Sequence, residues 1–414
     1  MRILVVSKYF PDNLSTKVHG VHKRFRMFID AIKEIAEIDL LYYVPFGTDT
    51  SNSSVKLFEK SLSDHFKTPI RLSLSKRANN TNPLSKLTSY AMGTVSFVRQ
   101  PSYSGTAGPH QVESIETCLH NNPDAIFIHK LEAMCPLIQT RLVLPPVFFD
   151  IDDIEHVALR RRIRYFPKIS SRLKHFFLIP ALCWGEYKAI KLAHRTFVCS
   201  DNDRDYLQSR WGFNGVVKIP NAVEIPDSQS ITSEPTLLFI GSYLYKPNID
   251  AVEFLIKKIW PLVRQAIPIA TLIIAGTPPD RIPSYRADTK GIRFTGFVKE
   301  LDHLYRRSRI VCAPILAGSG TRVKIIEAAA YGKPIVSTRI GAEGIEMQDG
   351  IDIFLRDDAK SFAEACVRLL NDHALSKKMG TTARSTAIKK YNQIRIKKMI
   401  QKIIKESFPN LDCA

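Results

Sequence analysis

The stretch 313–344, APILAGSGTRVKIIEAAAYGKPIVSTRIGAEG, decides how the rest of the chain is read. It predicts a loop, a helix, a strand and a second loop. Gly318, Ser319 and Gly320 make a small-residue loop whose backbone can approach a ligand closely. Thr321 is positioned to cap a helix over 322–331, with Val323, Ile326 and Ala330 on one face and Gly332 as its stop. The run PIVST, 334–338, is apolar and of strand length. Free N–H groups and the positive dipole end at such a helix start suit phosphate. Arg322 and Lys324 add two cations in the first turn, and Glu327, one turn further, can accept hydrogen bonds from the hydroxyls of a ribose. Phosphate donors beside a hydroxyl acceptor point to a nucleoside diphosphate. The bland alternative is a common glycine-rich turn followed by a helix whose cations are merely solvated.

Outward from this stretch, apolar runs of strand length alternate with helix-length segments: 236–240, 271–275, 292–296 and 310–313. The first half has the same rhythm at 3–7, 38–44, 125–129, 147–151, 195–200 and 216–219. Such alternation predicts parallel βαβ units, with ligands at the carboxyl ends of the strands. The polar, proline-flanked segment PDSQSITSEP, 226–235, reads as a linker. Residues 47–112, rich in Ser, Thr, Asn and Lys, read as loops around a few helices. The basic terminal helix YNQIRIKKMIQKIIKESF carries an apolar set at Ile394, Met399, Ile400, Ile403 and Ile404.

GSGTRVKIIEAAAYGKPIVSTRIGAEG resembles the donor-site signature of retaining glycosyltransferase family 4, a GT-B family, and within it a sub-group that makes bacterial surface polysaccharides. The resemblance is close over 236–391 and topological before that. It implies two Rossmann-like doubly wound domains facing across a cleft. The acceptor-side domain is 1–225, with the helix 391–414 packing back on it, and the donor domain is 236–390. Pro220-Asn221-Ala222-Val223 resembles the family's interdomain turn. Members carry Glu, seven residues, then Glu; here Glu327 holds the second position and Ser319 the first. The loop GSYLYKPN resembles the phosphate loop, with Ser242 after Gly241 in place of an Arg and Lys246 close to the usual Lys. Arg322 and Lys324 are then the expected catalytic cations. Phe297 and Val298 occupy the place that holds the base through main-chain contacts, although Phe297 equally suits a core. Gly20 falls before the first helix, as donor-site residue or plain turn. His129 ends a strand where the family carries a cleft-facing polar residue, as catalytic group or structural histidine.

The resemblance further implies transfer of a sugar from a UDP-, GDP- or ADP-sugar to a hydroxyl of a glycan, polysaccharide or lipid-linked acceptor. No cofactor and no metal are expected. Asp150-Ile151-Asp152 has the D-x-D form, yet the resembled fold uses no bound metal, so helix capping by Asp152 or Asp153 is the expectation. A non-catalytic nucleotide-sugar-binding or scaffold protein of the same fold is the alternative, suggested by Ser319 and Ser242.

The formal net charge of +19 admits anionic partners, and nucleic acid is disfavoured because no nucleic-acid module is recognisable. Between His156 and Arg195 ten basic residues interleave with Tyr165, Phe166, Phe176 and Phe177, and Glu186 is the sole acid there. That mixture suits an anionic membrane surface, a protein partner, or water alone. Seven scattered cysteines without a C-x-x-C pair, and no apolar run of transmembrane length, predict a cytoplasmic protein, at most peripheral on the inner face of a membrane.

Overall fold

The computed structural model describes residues 1–9, 20–79, 83–166, 168–227, 232, 234–285, 290–318 and 320–408. The chain forms two compact units, Met1–Ile219 with Lys397–Ala414, and Pro220–Ile396.

The first unit holds β1 (Arg2–Ser7), β2 (Glu37–Val44), β3 (Ile70–Lys76), β4 (Ala125–His129), β5 (Val147–Asp152), β6 (Arg195–Val198) and β7 (Val216–Lys218). They form one parallel sheet in the order β3-β2-β1-β4-β5-β6-β7. Its helices are α1 (Gly20–Ile32), α2 (Asn52–Phe66), α3 (Pro83–Gly93), α4 (Pro109–Leu119), α5 (Leu131–Leu137), α6 (Glu155–Ile163), α7 (Ile169–Phe176), α8 (Ile179–Leu192) and α9 (Asp201–Trp211). The central strands are buried along almost their whole length. Continuous apolar runs are what a parallel sheet covered on both faces demands.

The second unit repeats the plan with β8 (Thr236–Ile240), β9 (Thr271–Ala275), β10 (Ile292–Gly296), β11 (Ile310–Ala313), β12 (Ile335–Ser337) and β13 (Phe354–Leu355). Again all pairs are parallel, in the order β10-β9-β8-β11-β12-β13. Around them lie α10 (Lys246–Phe254), α11 (Trp260–Ala266), α12 (Asp302–Arg307), α13 (Val323–Ala330), α14 (Ala359–Asn371) and α15 (His373–Tyr391). The expectation of two doubly wound parallel sheets therefore holds.

Local chemistry explains several boundaries. Ser200, Asp358 and Asp372 cap α9, α14 and α15 by accepting the backbone N–H three residues on. The loop after β8 ends at Tyr245, inside the stretch GSYLYKPN expected to be loop, because Pro247 in the first turn of α10 starts the helix early. The segment 47–112 is more regular than its composition suggested. It contains β3, an edge strand whose alternation of Arg71, Ser73 and Ser75 with Ile70, Leu72 and Leu74 hides its character.

The final helix α16 (Gln393–Glu406) passes from one unit into the other. Lys397 pairs with Glu34 at 2.7 Å, and Gln401 donates to the Ala31 carbonyl at 3.1 Å, so its later turns pack on α1. The buried stripe is Ile396, Ile400 and Ile404, whereas Ile394, counted in the expected apolar set, is exposed. Pro220 to Val223 belongs to the second unit. The Val223 N–H donates to Tyr391 and the Gln393 N–H to Val223, and Asn221 Nδ2 donates to Thr321 Oγ1.

Candidate functional site

The strand order of the second sheet reverses between β8 and β11, the position where doubly wound sheets bind ligands. Two loops leave it, 241–245 after β8 and 314–322 after β11. Asn248 joins them. Its Nδ2 donates to the Ser242 carbonyl at 2.9 Å, and its Oδ1 accepts from Lys324 Nζ, also at 2.9 Å. The ammonium lies 4.2 Å from the Phe239 ring centroid. Burial, and after it the charge of Arg322, pulls the Lys324 pKa down to about 7. A neutral amide and a ring face offset desolvation far less than a carboxylate does.

Close approach explains the glycines here. A Cβ on Gly241 would lie 2.9 Å from Asn248 Cγ, and one on Gly276 only 1.7 Å from the Gly241 carbonyl oxygen. Gly318 has φ +122, and a Cβ there would stand 2.7 Å from Tyr245 Oη and 2.9 Å from Arg322 Nη2. The buried Arg322 donates to the Gly320 carbonyl, folding its loop onto itself. Ser319 lies outside the described residues. Glu327 accepts from the Tyr305 hydroxyl at 3.1 Å, and the Tyr305 ring stacks on Tyr331 with centroids 4.6 Å apart. That contact fixes the direction of the carboxylate on α13. After β12, Gly341 tightens the turn before Ala342-Glu343-Gly344 by donating its N–H to Thr338 Oγ1 at 2.9 Å.

Three expectations differ from these positions, and for Phe297 one of two alternatives is removed. Thr321 does not cap α13. The helix starts at Val323 behind Arg322, without a side-chain cap, because the Thr321 hydroxyl is taken by Asn221. Lys246 is the first residue of α10, exposed and paired with Asp250 one turn on, so Lys324 and not Lys246 reaches the Ser242 loop. Phe297 is exposed and not core, while Val298 packs on the second unit's apolar cluster. Asp152 and Asp153 do not cap α6. The N–H groups of Glu155 and His156 donate instead to the buried carboxylate of Glu186, at 2.6 and 3.2 Å.

In the first unit the corresponding reversal falls between β1 and β4. Arg24 Nη2 donates to Asp150 Oδ1 at 2.6 Å, Lys130 pairs with Asp152 at 2.8 Å, and Lys8 with Glu132 at 2.6 Å. Burial opposes ionisation of Asp152, but Lys130 and Arg24 outweigh it and hold the carboxyl below its usual range. The D-x-D carboxylates are thus occupied by cations. Among the described residues no group of three or more His, Cys, Asp or Glu could hold a metal ion. His129 is wholly buried, with Nδ1 3.1 Å from Ser7 Oγ and its ring 5.0 Å from that of Phe25. Burial, then the neighbouring Lys130 charge, pushes its pKa down to about 3, so the ring is neutral. Enclosed in this way, it positions Ser7 and the ends of β1 and β4. Gly20 opens α1, and residues 10–19 before it lie outside the described residues.

Sequence reasoning passed over Asn248, Tyr305 and Arg24. The first had a signal: Pro247 begins a helix, which turns the next residue back toward the loop it follows. The other two are fixed by contacts distant in the chain.

Residues 234–372 match the family model described as glycosyl transferases group 1. The chain is 27% identical over 196 residues to the phosphatidyl-myo-inositol mannosyltransferase of Mycolicibacterium smegmatis, covering 44% of this chain and 50% of that protein. It is 25% identical over 179 residues to an uncharacterized 44.6 kDa protein in the cps region of Klebsiella pneumoniae, covering 41% and 45%. The chain thus spans about half the length of the curated relatives it matches. Anabaena HepE, solved in complex with UDP-glucose, superposes with a TM-score of 0.66 over 98% of this chain and 100% of that one, at 16% identity. The fold is GT-B: two parallel-sheet, Rossmann-like α/β domains.

Proposed function

We propose that the protein is a retaining glycosyltransferase that moves a sugar from a nucleoside-diphosphate sugar to a hydroxyl of a glycan, polysaccharide or lipid-linked acceptor. The observation that carries this reading is the junction of Lys324, Asn248 and the Ser242 loop beside Arg322, at the reversal of the second sheet. The family match covers the same region.

In this reading the donor diphosphate takes Lys324 and Arg322, together with main-chain donors at 320–322. Glu327, oriented by Tyr305, accepts from the ribose hydroxyls. The main chain at Phe297 and Val298 holds the base. As the bond from the anomeric carbon to the diphosphate oxygen breaks, negative charge grows on the phosphate, and the two cations are aimed at it. The acceptor oxygen bonds to the same face of that carbon, and its proton passes to the departing phosphate. No protein nucleophile is needed, and protein cations take the part a metal plays elsewhere. UDP is the first donor base to try, since HepE holds UDP-glucose. The protein acts in the cytoplasm, at the inner face of a membrane when the acceptor is lipid-linked.

The test is thermal denaturation of the purified protein with UDP-, GDP-, ADP- and CDP-sugars, no metal added. One base should raise Tm, and Glu327→Ala should weaken that base by about tenfold, the loss of a hydrogen bond to a charged group. No shift with any base would favour the non-catalytic scaffold reading, which Ser242 and Ser319 suggest.

A further inference from the structure

Helix α7 buries none of its residues. An amphipathic helix on a globular domain normally turns its apolar stripe inward. This one turns it outward. Ile169, Leu173 and Phe176, spaced i, i+4 and i+7, share one face, and they are 72%, 53% and 59% exposed. Phe177, at the end of the helix, is 59% exposed and extends the stripe. Toward the protein the helix turns His175, which packs against the Phe166 ring at 4.6 Å and the Tyr90 ring at 5.6 Å.

The surroundings are cationic. Between Val157 and Gly185 the chain carries seven Lys or Arg and no Asp or Glu. Exposed Lys168 and Arg172 flank the stripe on one side and Lys174 on the other. Arg160, Arg162 and Arg164 at the end of α6 are exposed as well.

We propose that α7 and Phe177 form a membrane-docking element. The helix lies in the plane of an anionic bilayer, its four apolar side chains among the upper acyl chains and its flanking cations on lipid phosphates. Charge selects this occupant. A second copy of the same face would bring like charges together, and the cores of protein interfaces are depleted in lysine. Nucleic acid would satisfy the cations but leave the aliphatic stripe in water. The proposal rests on the transferase reading only for its purpose, the delivery of a lipid-linked acceptor. The binding itself is measured without any donor, so either can fail alone.

The experiment is flotation of the full chain with vesicles of phosphatidylcholine, alone or with about one-third phosphatidylglycerol. Binding should require phosphatidylglycerol and weaken as salt is raised. Leu173→Ser with Phe176→Ser and Phe177→Ser should lower the bound fraction about tenfold or more at an unchanged Tm, since these side chains are already exposed. Lys168→Gln with Arg172→Gln and Lys174→Gln should weaken binding with a smaller salt dependence. The proposal is overturned if the wild type does not bind anionic vesicles, or if the serine variant binds them equally. It is overturned too if the wild type forms a dimer, by light scattering, that the serine variant loses.

Discussion

The two sheets share one strand order, yet the carboxyl ends of their central strands are finished differently. In the first unit each cation at that point meets a carboxylate: Arg24 with Asp150, Lys130 with Asp152, Lys8 with Glu132. In the second, Lys324 meets the amide oxygen of Asn248 and the face of Phe239. A cation paired directly with a carboxylate has little attraction left for an anion, whereas one whose direct contacts are neutral, with Glu327 acting only through space, keeps more of its field. Topology therefore supplies a ligand position twice, and under the proposed function the local charge balance is what suits the second to a diphosphate.

The most severe way to break this comparison is to unbalance the first unit. Arg24→Met leaves the wholly buried Asp150 without its main cation and should cost about 3–5 kcal/mol, read as a fall in Tm. Adding Asp150→Leu should restore most of that loss, because the site has to be neutral rather than ionic. Full stability of the single variant would mean that these pairs do not balance one another.

In the second unit, Arg322→Ala with Lys324→Ala should lower turnover about 10³-fold while circular dichroism stays unchanged. Wild-type turnover would put the diphosphate elsewhere. A sharper test makes the second unit imitate the first. Asn248→Asp gives Lys324 a carboxylate, as Lys130 has, and should weaken nucleoside-diphosphate binding about tenfold or more without loss of Tm. Tighter binding would refute the distinction between the two sites.

The smallest effect is the dependence on pH. With a pKa of about 7, Lys324 is largely charged at pH 6 and largely neutral at pH 8. The ligand favours the charged form, so binding takes up a proton, and Kd should rise up to about tenfold per pH unit above 7. Lys324→Arg, always charged, should flatten that rise. A wild-type profile as flat as that of the arginine variant would argue against a diphosphate on Lys324.

What the chain discloses in advance follows the range of the forces involved. The buried strands β1, β4, β5, β8, β9 and β11 are written as local apolar runs, so the doubly wound architecture is legible. β3 is not, because an edge strand half in water needs no such run. In the candidate site, Arg322, Lys324 and Glu327 stand close in sequence on one loop and helix, and a local pattern brings them to notice. Asn248 reaches Lys324 across 76 residues and Tyr305 reaches Glu327 across 22, so neither pairing is written locally, although Pro247 does mark Asn248 as turned toward the loop before it. The misreading of Thr321 has the same origin. Its hydroxyl suits a cap, and a partner 100 residues away claims it.

The division of the first unit between the two ends of the chain has a consequence for synthesis. Residues 1–219 leave the ribosome before the second unit, but the part of α16 that supplies Lys397 and Gln401 against α1 is made after it. The first unit therefore waits for these contacts while its neighbour is being built. A stop codon just before Lys397 would come after nearly the whole of the second unit, yet it would be the first unit that is left unfinished.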